Sequence, residues 1–251
     1  MSSPTKTVLI TGATRGLGLT FARHYTEAGW KVIGTARDVD KATDLKALSP
    51  FRVVQLDTSD EASILRLAEQ LAGVPVDLLI NNAGILEPGS YASVSKDSFM
   101  RHFEINSVGP FLTTRALLPN LKLAADASGQ AVVASVTSLL GSIHSNLDGA
   151  LGRPLHKVYY DNHKMPNGEM YSYRASKAAL NMINANLAMD LQKDKIVAVV
   201  LQPGYVKTDL THHNGVVLPE DSVAGMAKVI SGLTLDDTAK FFDFQGPELP
   251  W

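Results

Sequence analysis

Short runs of β-branched and aliphatic residues alternate along this chain with longer stretches in which apolar residues recur every three and four positions. The short runs are Thr7–Ile10, Lys31–Thr35, Arg52–Gln55, Leu78–Ile80, Ala131–Ser135, Ile196–Leu201 and Lys240–Phe242. Their near-continuous apolar character predicts strands of a sheet covered on both faces. The longer stretches, Gly18–Ala28, Glu61–Leu71, Ser98–Leu123 and Tyr171–Leu191, predict helices with one apolar face. Parallel strands need a crossover to return to the starting edge, and helices supply it. The pattern therefore predicts an α/β chain with a doubly wound, seven-stranded parallel sheet and helices on both faces.

Residues 142–170 break this alternation. Gly141, Gly149, Gly152, Pro154, Pro166 and Gly168 frame His144, His156, His163, Tyr159 and Tyr160. The segment is expected to be a loop-rich insertion into one domain spanning 1–251, because 251 residues suit a single large core and no linker divides them.

Charge and composition then remove function classes. A net charge of -2 offers no electrostatic footprint for nucleic acid. No apolar run approaches the ~20 residues that span a bilayer, and the amino terminus lacks the charged and apolar regions of a secretory signal. The absence of cysteine excludes disulfides, thiolate metal sites and a cysteine nucleophile. The expectation is a cytoplasmic protein with neither a nucleic-acid nor a membrane partner. His212 and His213 are adjacent, and neighbouring residues on a loop rarely converge on one ion, so no metal is expected.

After the first strand come Thr11, Gly12, Ala13, Thr14, Arg15, Gly16, Leu17 and Gly18, and then at once a helical pattern. Three glycines permit a tight turn and close approach of backbone to a pyrophosphate, which the helix amino terminus would attract. The spacing Gly-x-x-x-Gly-x-Gly differs from the usual dinucleotide fingerprint, so an ordinary strand-to-helix turn is the alternative. At the end of the second strand Ala36 stands where an NAD site places an acid, and Arg37 follows. With Arg15 it offers two guanidiniums matched to a 2′-phosphate, so NADPH/NADP is expected in preference to NAD. Against this, both arginines could simply be solvated, and a strand boundary moved by one residue would bring Asp38 toward the ribose.

Tyr173 and Lys177 lie four apart in a helical pattern and share a face. An adjacent cation favours phenolate, so the tyrosine is expected to be pulled below its ordinary value near ~10.

Further pieces follow in order. Asp57 ends the third strand; Asn81, Asn82, Ala83 and Gly84 follow the fourth; Asn106 lies in a long helix. Ser138, Leu139, Leu140 and Gly141 follow the fifth strand, and Pro203, Gly204, Tyr205, Val206, Lys207 and Thr208 the sixth. Together with Thr11–Gly18 and the Tyr173–Lys177 pair, these resemble the short-chain dehydrogenase/reductase family over essentially the whole chain, which implies a Rossmann fold. The tail Leu218–Ile230 and Phe244–Trp251 is similar to the subgroup holding the bacterial C-factor signalling protein and the sniffer-type carbonyl reductases.

The resemblance implies an NADPH-dependent reductase that converts a small-molecule ketone, aldehyde or diketone to an alcohol. Tyr173 would be the general acid, Ser138 would stabilise the carbonyl oxygen, and Lys177 would bind the nicotinamide ribose and lower the tyrosine pKa. Asn106 would hold a water that relays protons. Gly12, Thr14, Arg15, Gly16, Leu17 and Gly18 would meet the cofactor phosphates, with Arg37 at the 2′-phosphate and Asp57 and Thr58 near the adenine. Asn82, Ala83 and Gly84 would line the adenosine ribose, and Pro203, Gly204, Val206 and Thr208 would close over the nicotinamide alongside Tyr173 and Lys177. Ser135, Thr137 and Ser142 are rivals for the place of Ser138. Asn106 could instead bond backbone within its helix or cap a kink, and Asn81 and Asn82 could serve the turn.

The chain departs from the family in one place. Thirty-five positions separate Ser138 from Tyr173, far more than the resemblance implies, so the extra residues must loop out. They could wall the substrate pocket with His144, His156, His163, Tyr159 or Tyr160. They could also obstruct helix-to-helix association, which favours a monomer or homodimer over a tetramer. The position of His212 and His213 after Thr208 implies a mobile loop over the nicotinamide. The C-factor-like tail leaves open a second function, a nucleotide-binding signalling or interaction protein.

Overall fold

The computed structural model describes residues 5–150 and 169–251. Seven strands, β1 (Thr7–Ile10), β2 (Lys31–Ala36), β3 (Arg52–Gln55), β4 (Leu78–Asn81), β5 (Ala131–Val136), β6 (Ile196–Gln202) and β7 (Phe241–Asp243), form one sheet. Their order is β3-β2-β1-β4-β5-β6-β7, and every neighbouring pair is parallel. All seven stand where the apolar runs predicted them, with ends shifted by a residue or so.

Alternation along each strand sorts the core into two layers. Val8, Ile10, Val32, Ile80 and Val199 pack on one face against Phe21 and Ala22 of α1 (Gly16–Glu27) and against Met226 and Ile230 of a helix near the carboxyl end. Leu9, Ile33, Leu79, Val133 and Ala198 face the other way. They meet Ile64 and Leu67 of α3 (Glu61–Gln70), Leu121 of α6 (Leu118–Ser128), and Leu191 of α8 (Tyr171–Leu191). The sheet is therefore doubly wound, and its crossovers diverge on either side of β1 and β4. That reversal opens a crevice at the carboxyl ends of the strands.

The helix expected over Ser98–Leu123 is instead divided. It runs as α4 (Lys96–Phe103), a π-helical turn (Glu104–Val108), α5 (Gly109–Ala116) and α6. Pro119, which lacks an amide donor, sits in the first turn of α6, where no intrahelical bond is lost, and Pro110 directly follows the π turn at the start of α5. The π turn buries Asn106 and Ser107 toward α8: Asn106 Nδ2 donates to Ser176 Oγ at 3.0 Å, and Ser107 Oγ to the Ser176 carbonyl at 2.7 Å.

Three helices were not expected. α2 (Thr43–Ala47) is little more than one turn. α7 (Ile143–Ala150) occupies the first part of the segment read as loop-rich. α9 (Pro219–Gly232) opens on a proline with Glu220 and Asp221 in its first turn, a favourable arrangement for the helix dipole. The rest of the insertion, including His156, Tyr159, Tyr160 and His163, lies outside the described residues.

After β5 the chain makes a short 3-10 turn, Leu139–Gly141, against α8. A Cβ on Gly141 would stand 2.8 Å from both the carbonyl carbon and the Cβ of Lys177, and 3.0 Å from the amide nitrogen of Ala178. Two of those three atoms are helix backbone and cannot swing aside. Gly141→Ala is expected to destabilise the protein by about 1–3 kcal/mol, read as a lower urea midpoint with unchanged slope; an unchanged midpoint would mean that the turn yields.

Candidate active site

The loops after β1, β2, β3 and β4 line a cleft of about 500 Å³ at the crevice. Its first wall is the glycine turn. Gly12 and Gly16 have φ of +66° and +52°, a left-handed conformation open to glycine at little cost. A Cβ on Gly18 would lie 2.1 Å from the Gly12 carbonyl oxygen, so the start of α1 folds directly onto the strand end. Thr11 Oγ1 accepts from the amides of Asn82 at 2.9 Å and Ala83 at 3.0 Å, and Asn82 Nδ2 donates to the carbonyls of Thr11 and Gly12. Asn82 thus ties the β4 loop to the glycine turn, the structural reading of that residue.

Sixteen of the eighteen expected cofactor residues line this cleft. They are Gly12, Thr14, Arg15, Gly16, Leu17, Gly18, Arg37, Asp57, Thr58, Asn82, Ala83, Gly84, Tyr173, Lys177, Pro203 and Thr208. Gly204 and Val206 instead line an adjoining cavity of about 320 Å³. β2 ends at Ala36, which lines the cleft with Arg37. Asp38 turns elsewhere: its carboxylate meets Lys41 Nζ at 2.8 Å and accepts from the Asp40 amide at 3.1 Å. Burial raises the Asp57 carboxyl, but bonds from the Ser59 hydroxyl and amide and the charge of Arg37 outweigh it, leaving a net lowering. Arg15 reaches Asp209 at 3.5 Å, an exposed pair of little energetic weight.

Where the two cavities meet stands Tyr173, which lines both. Ser138 lines the smaller cavity with it and draws its phenol pKa down, and the rival hydroxyls are occupied elsewhere. Ser135 Oγ accepts from Asn81 Nδ2 at 3.4 Å, Thr137 donates to Asn181 Oδ1 at 2.6 Å, and Ser142 donates to the Pro250 carbonyl at 2.8 Å. Ser138 is itself held from both sides, because the Leu139 amide donates to Gln202 Oε1 at 2.9 Å and Asn181 Nδ2 to the Gly141 carbonyl at 3.3 Å. Asn181 and Gln202 were not singled out from sequence. Gln202 left a signal there, a lone amide closing an otherwise apolar strand.

Lys177 is 5% exposed and donates to the Val136 carbonyl at 2.8 Å. A Cβ on Gly84 would lie 3.8 Å from its Nζ, so glycine keeps the cleft floor open beside the ammonium. Burial pulls this lysine down to about 8. Burial also pushes Tyr173 up to about 12, with Ser138 only partly opposing it. The depressed tyrosine expected from its neighbour is therefore not observed. Nζ stands 5.8 Å from the phenol ring centroid and points its hydrogen bond at backbone, so desolvation outweighs the charge.

Asn106 lines neither cavity. Its amide donates to the Ile85 carbonyl at 2.9 Å and to Ser176 Oγ, while Oδ1 accepts from the Ile85 amide at 2.8 Å. The side chain thus ties the π turn to the loop after β4 instead of bonding backbone within its own helix. Among the described residues no three His, Cys, Asp or Glu side chains gather as metal ligands; His213 Nε2 instead meets Asp209 Oδ1 at 3.0 Å. No helix among them is long and apolar enough to cross a membrane.

The family model for short chain dehydrogenase matches residues 6–149 and 161–216. The chain belongs to the short-chain dehydrogenase family. Within this family of oxidoreductases it is 39% identical to C-signal of Myxococcus xanthus over 183 residues, covering 70% of this chain and 93% of that protein. It is 32% identical to 1-hydroxy-2-glutathionyl-2-methyl-3-butene dehydrogenase of Rhodococcus sp. over 98% of this chain and 99% of that one. Among solved structures, the NADPH-bound carbonyl reductase from chicken fatty liver superposes with a TM-score of 0.84 at 31% identity, covering 100% of this chain and 96% of that chain. Carbonyl reductase Sniffer of D. melanogaster gives 0.85 at 28% identity, covering 99% and 100%. These likenesses agree with the sheet order and with a crevice that this short-chain dehydrogenase builds from both halves of its chain.

An amine whose pKa falls on folding holds fewer protons folded than unfolded between about 8 and 10.5, so stability rises with pH across that window and is lost again as pH falls through 8. For Lys177 the rise amounts to about 3 kcal/mol. Urea unfolding of the cofactor-free protein from pH 7.5 to 10 is expected to show it, as a difference from Lys177→Met that narrows as pH climbs; parallel curves would contradict the buried amine.

Proposed function

We propose that the protein is an NADPH-dependent reductase of small carbonyl compounds, with Tyr173 as proton donor. One observation carries this reading: the buried Tyr173 phenol stands at the junction of the two cavities, with Ser138 beside it in the smaller one and Lys177 in the larger. A cofactor in the larger cleft would supply hydride to a carbonyl carbon held in the smaller one. As the C=O π pair moves to oxygen, the Ser138 hydroxyl stabilises the growing charge and Tyr173 gives up its proton. A phenol pushed up to about 12 still carries that proton at neutral pH, which suits reduction. Lys177 binds ribose hydroxyls with the donors that Val136 leaves free, and its charge then steadies the phenolate until solvent reprotonates it.

The cleft lining supports NADPH over NADH. Ala36 brings no acid to the ribose, Arg37 lines the cleft, and Asp38 is committed to Lys41. Arg37→Ala is expected to weaken NADPH binding about ten- to hundredfold, the worth of a charge-assisted phosphate contact, while NADH binding is unchanged. Fluorescence titration with both nucleotides checks this, and equal losses for the two would place Arg37 away from the 2′-phosphate.

NADPH oxidation with a panel of ketones, aldehydes and diketones tests the reading as a whole. Tyr173→Phe is expected to lose about 10²–10⁴-fold in kcat, the usual weight of a positioned acid; no wild-type turnover, or full turnover in the variant, would sink it. The 39% identity to C-signal motivates a second reading, a nucleotide-binding signalling or interaction protein. It predicts that cofactor-cleft variants lose a partner or signal while Tyr173→Phe keeps it.

A further inference from the structure

His102 on α4 is wholly buried, yet the reaction as drawn does not use it. Its two nitrogens have unlike partners. Nδ1 lies 2.7 Å from the Ser98 carbonyl, which can only accept, and Nε2 lies 3.0 Å from the Glu87 amide, which can only donate. The ring is therefore neutral, with its proton on Nδ1. Its edge packs against Tyr173, with ring centroids 6.3 Å apart and planes at 82°. Glu87 sits in the segment that divides the two cavities: Leu86 lines both, Glu87 the larger and Pro88 the smaller. One turn earlier on α4, Ser98 Oγ lies 3.2 Å from Ser172 Oγ, beside Tyr173 in the chain, and donates to Glu87 Oε2 at 3.4 Å. One face of α4 thus grips both the dividing segment and the start of α8.

We propose that His102 is a positioning residue for the carbonyl reduction: its neutral ring sets the Tyr173 phenol and the 86–88 partition at their mutual distance. The proposal rests on the reductase reading of this site. A proton on Nε2 would set two donors face to face and push the partition away. The charged and titratable groups around the ring are Glu87, paired with Arg101 at 2.9 Å, and the Tyr173 phenol.

Steady-state kinetics of His102→Leu and His102→Gln test this. His102→Leu removes the acceptor and is expected to lose roughly ten- to hundredfold in kcat, with KM for NADPH changing far less. His102→Gln keeps a donor and an acceptor and should recover most of that loss. Wild-type kcat in His102→Leu, or no recovery in His102→Gln, would overturn the proposal. If His102→Leu does not fold, the imidazole spectra decide. Imidazole ¹⁵N spectra, assigned by the signal that His102→Gln removes, give a readout independent of turnover. An unprotonated Nε2 at neutral pH supports the brace and an Nε2–H tautomer refutes it, so a failure of the reductase reading in the substrate panel is told apart from a failure of this one.

Discussion

The ammonium of Lys177 is the constraint around which the site is arranged. It is buried at the floor of the cleft and, among the described residues, hydrogen-bonded to one acceptor, the Val136 carbonyl. A charge so placed is costly unless paired, and the protein meets the cost by lowering the lysine pKa. Three features keep the amine where it is. Gly141 lets the turn after β5 lie directly on its helix, Gly84 leaves open space at its tip, and the π turn around Asn106 packs α4 and α5 onto the same stretch of α8.

The same burial accounts for the state of Tyr173. Burial pushes this phenol up to about 12, and its neighbour Ser138 only partly opposes the rise. Resting protein thus holds a proton in reserve rather than a phenolate. In the proposed reaction the reserve goes to the carbonyl oxygen, while ribose hydroxyls accept hydrogen bonds from the remaining ammonium protons and favour the charged lysine. Tyrosine, lysine and nucleotide then form one proton-transfer unit.

Much of this was legible in the chain. The seven strands follow from apolar runs because a parallel sheet covered on both faces needs them, and the glycine turn follows from spacing because a Cβ at position 18 has no room. Ser138 and Tyr173 are both legible in the chain, and the structure sets them in the lining of one cavity. Other features depend on distances that periodicity does not encode. The π turn sits inside a run that reads as one helix, because a single extra residue in one turn is too small a change for apolar spacing to mark. The expected lowering of the tyrosine failed because spacing along a helix says nothing of burial, and here burial is the larger effect. Asn181, Gln202 and His102 hold the site through bonds to backbone far away in sequence, which no local motif reports.

Proton exchange on cofactor binding tests the central claim most directly. Calorimetric titration with NADPH at pH 8.5, in buffers of differing ionisation enthalpy, reads the protons taken up as the complex forms. If the ribose restores the charge of Lys177, wild type takes up a sizeable fraction of a proton and Lys177→Met takes up none. No uptake by wild type, or equal uptake by both, would show that the buried lysine does not change its charge when the site is filled.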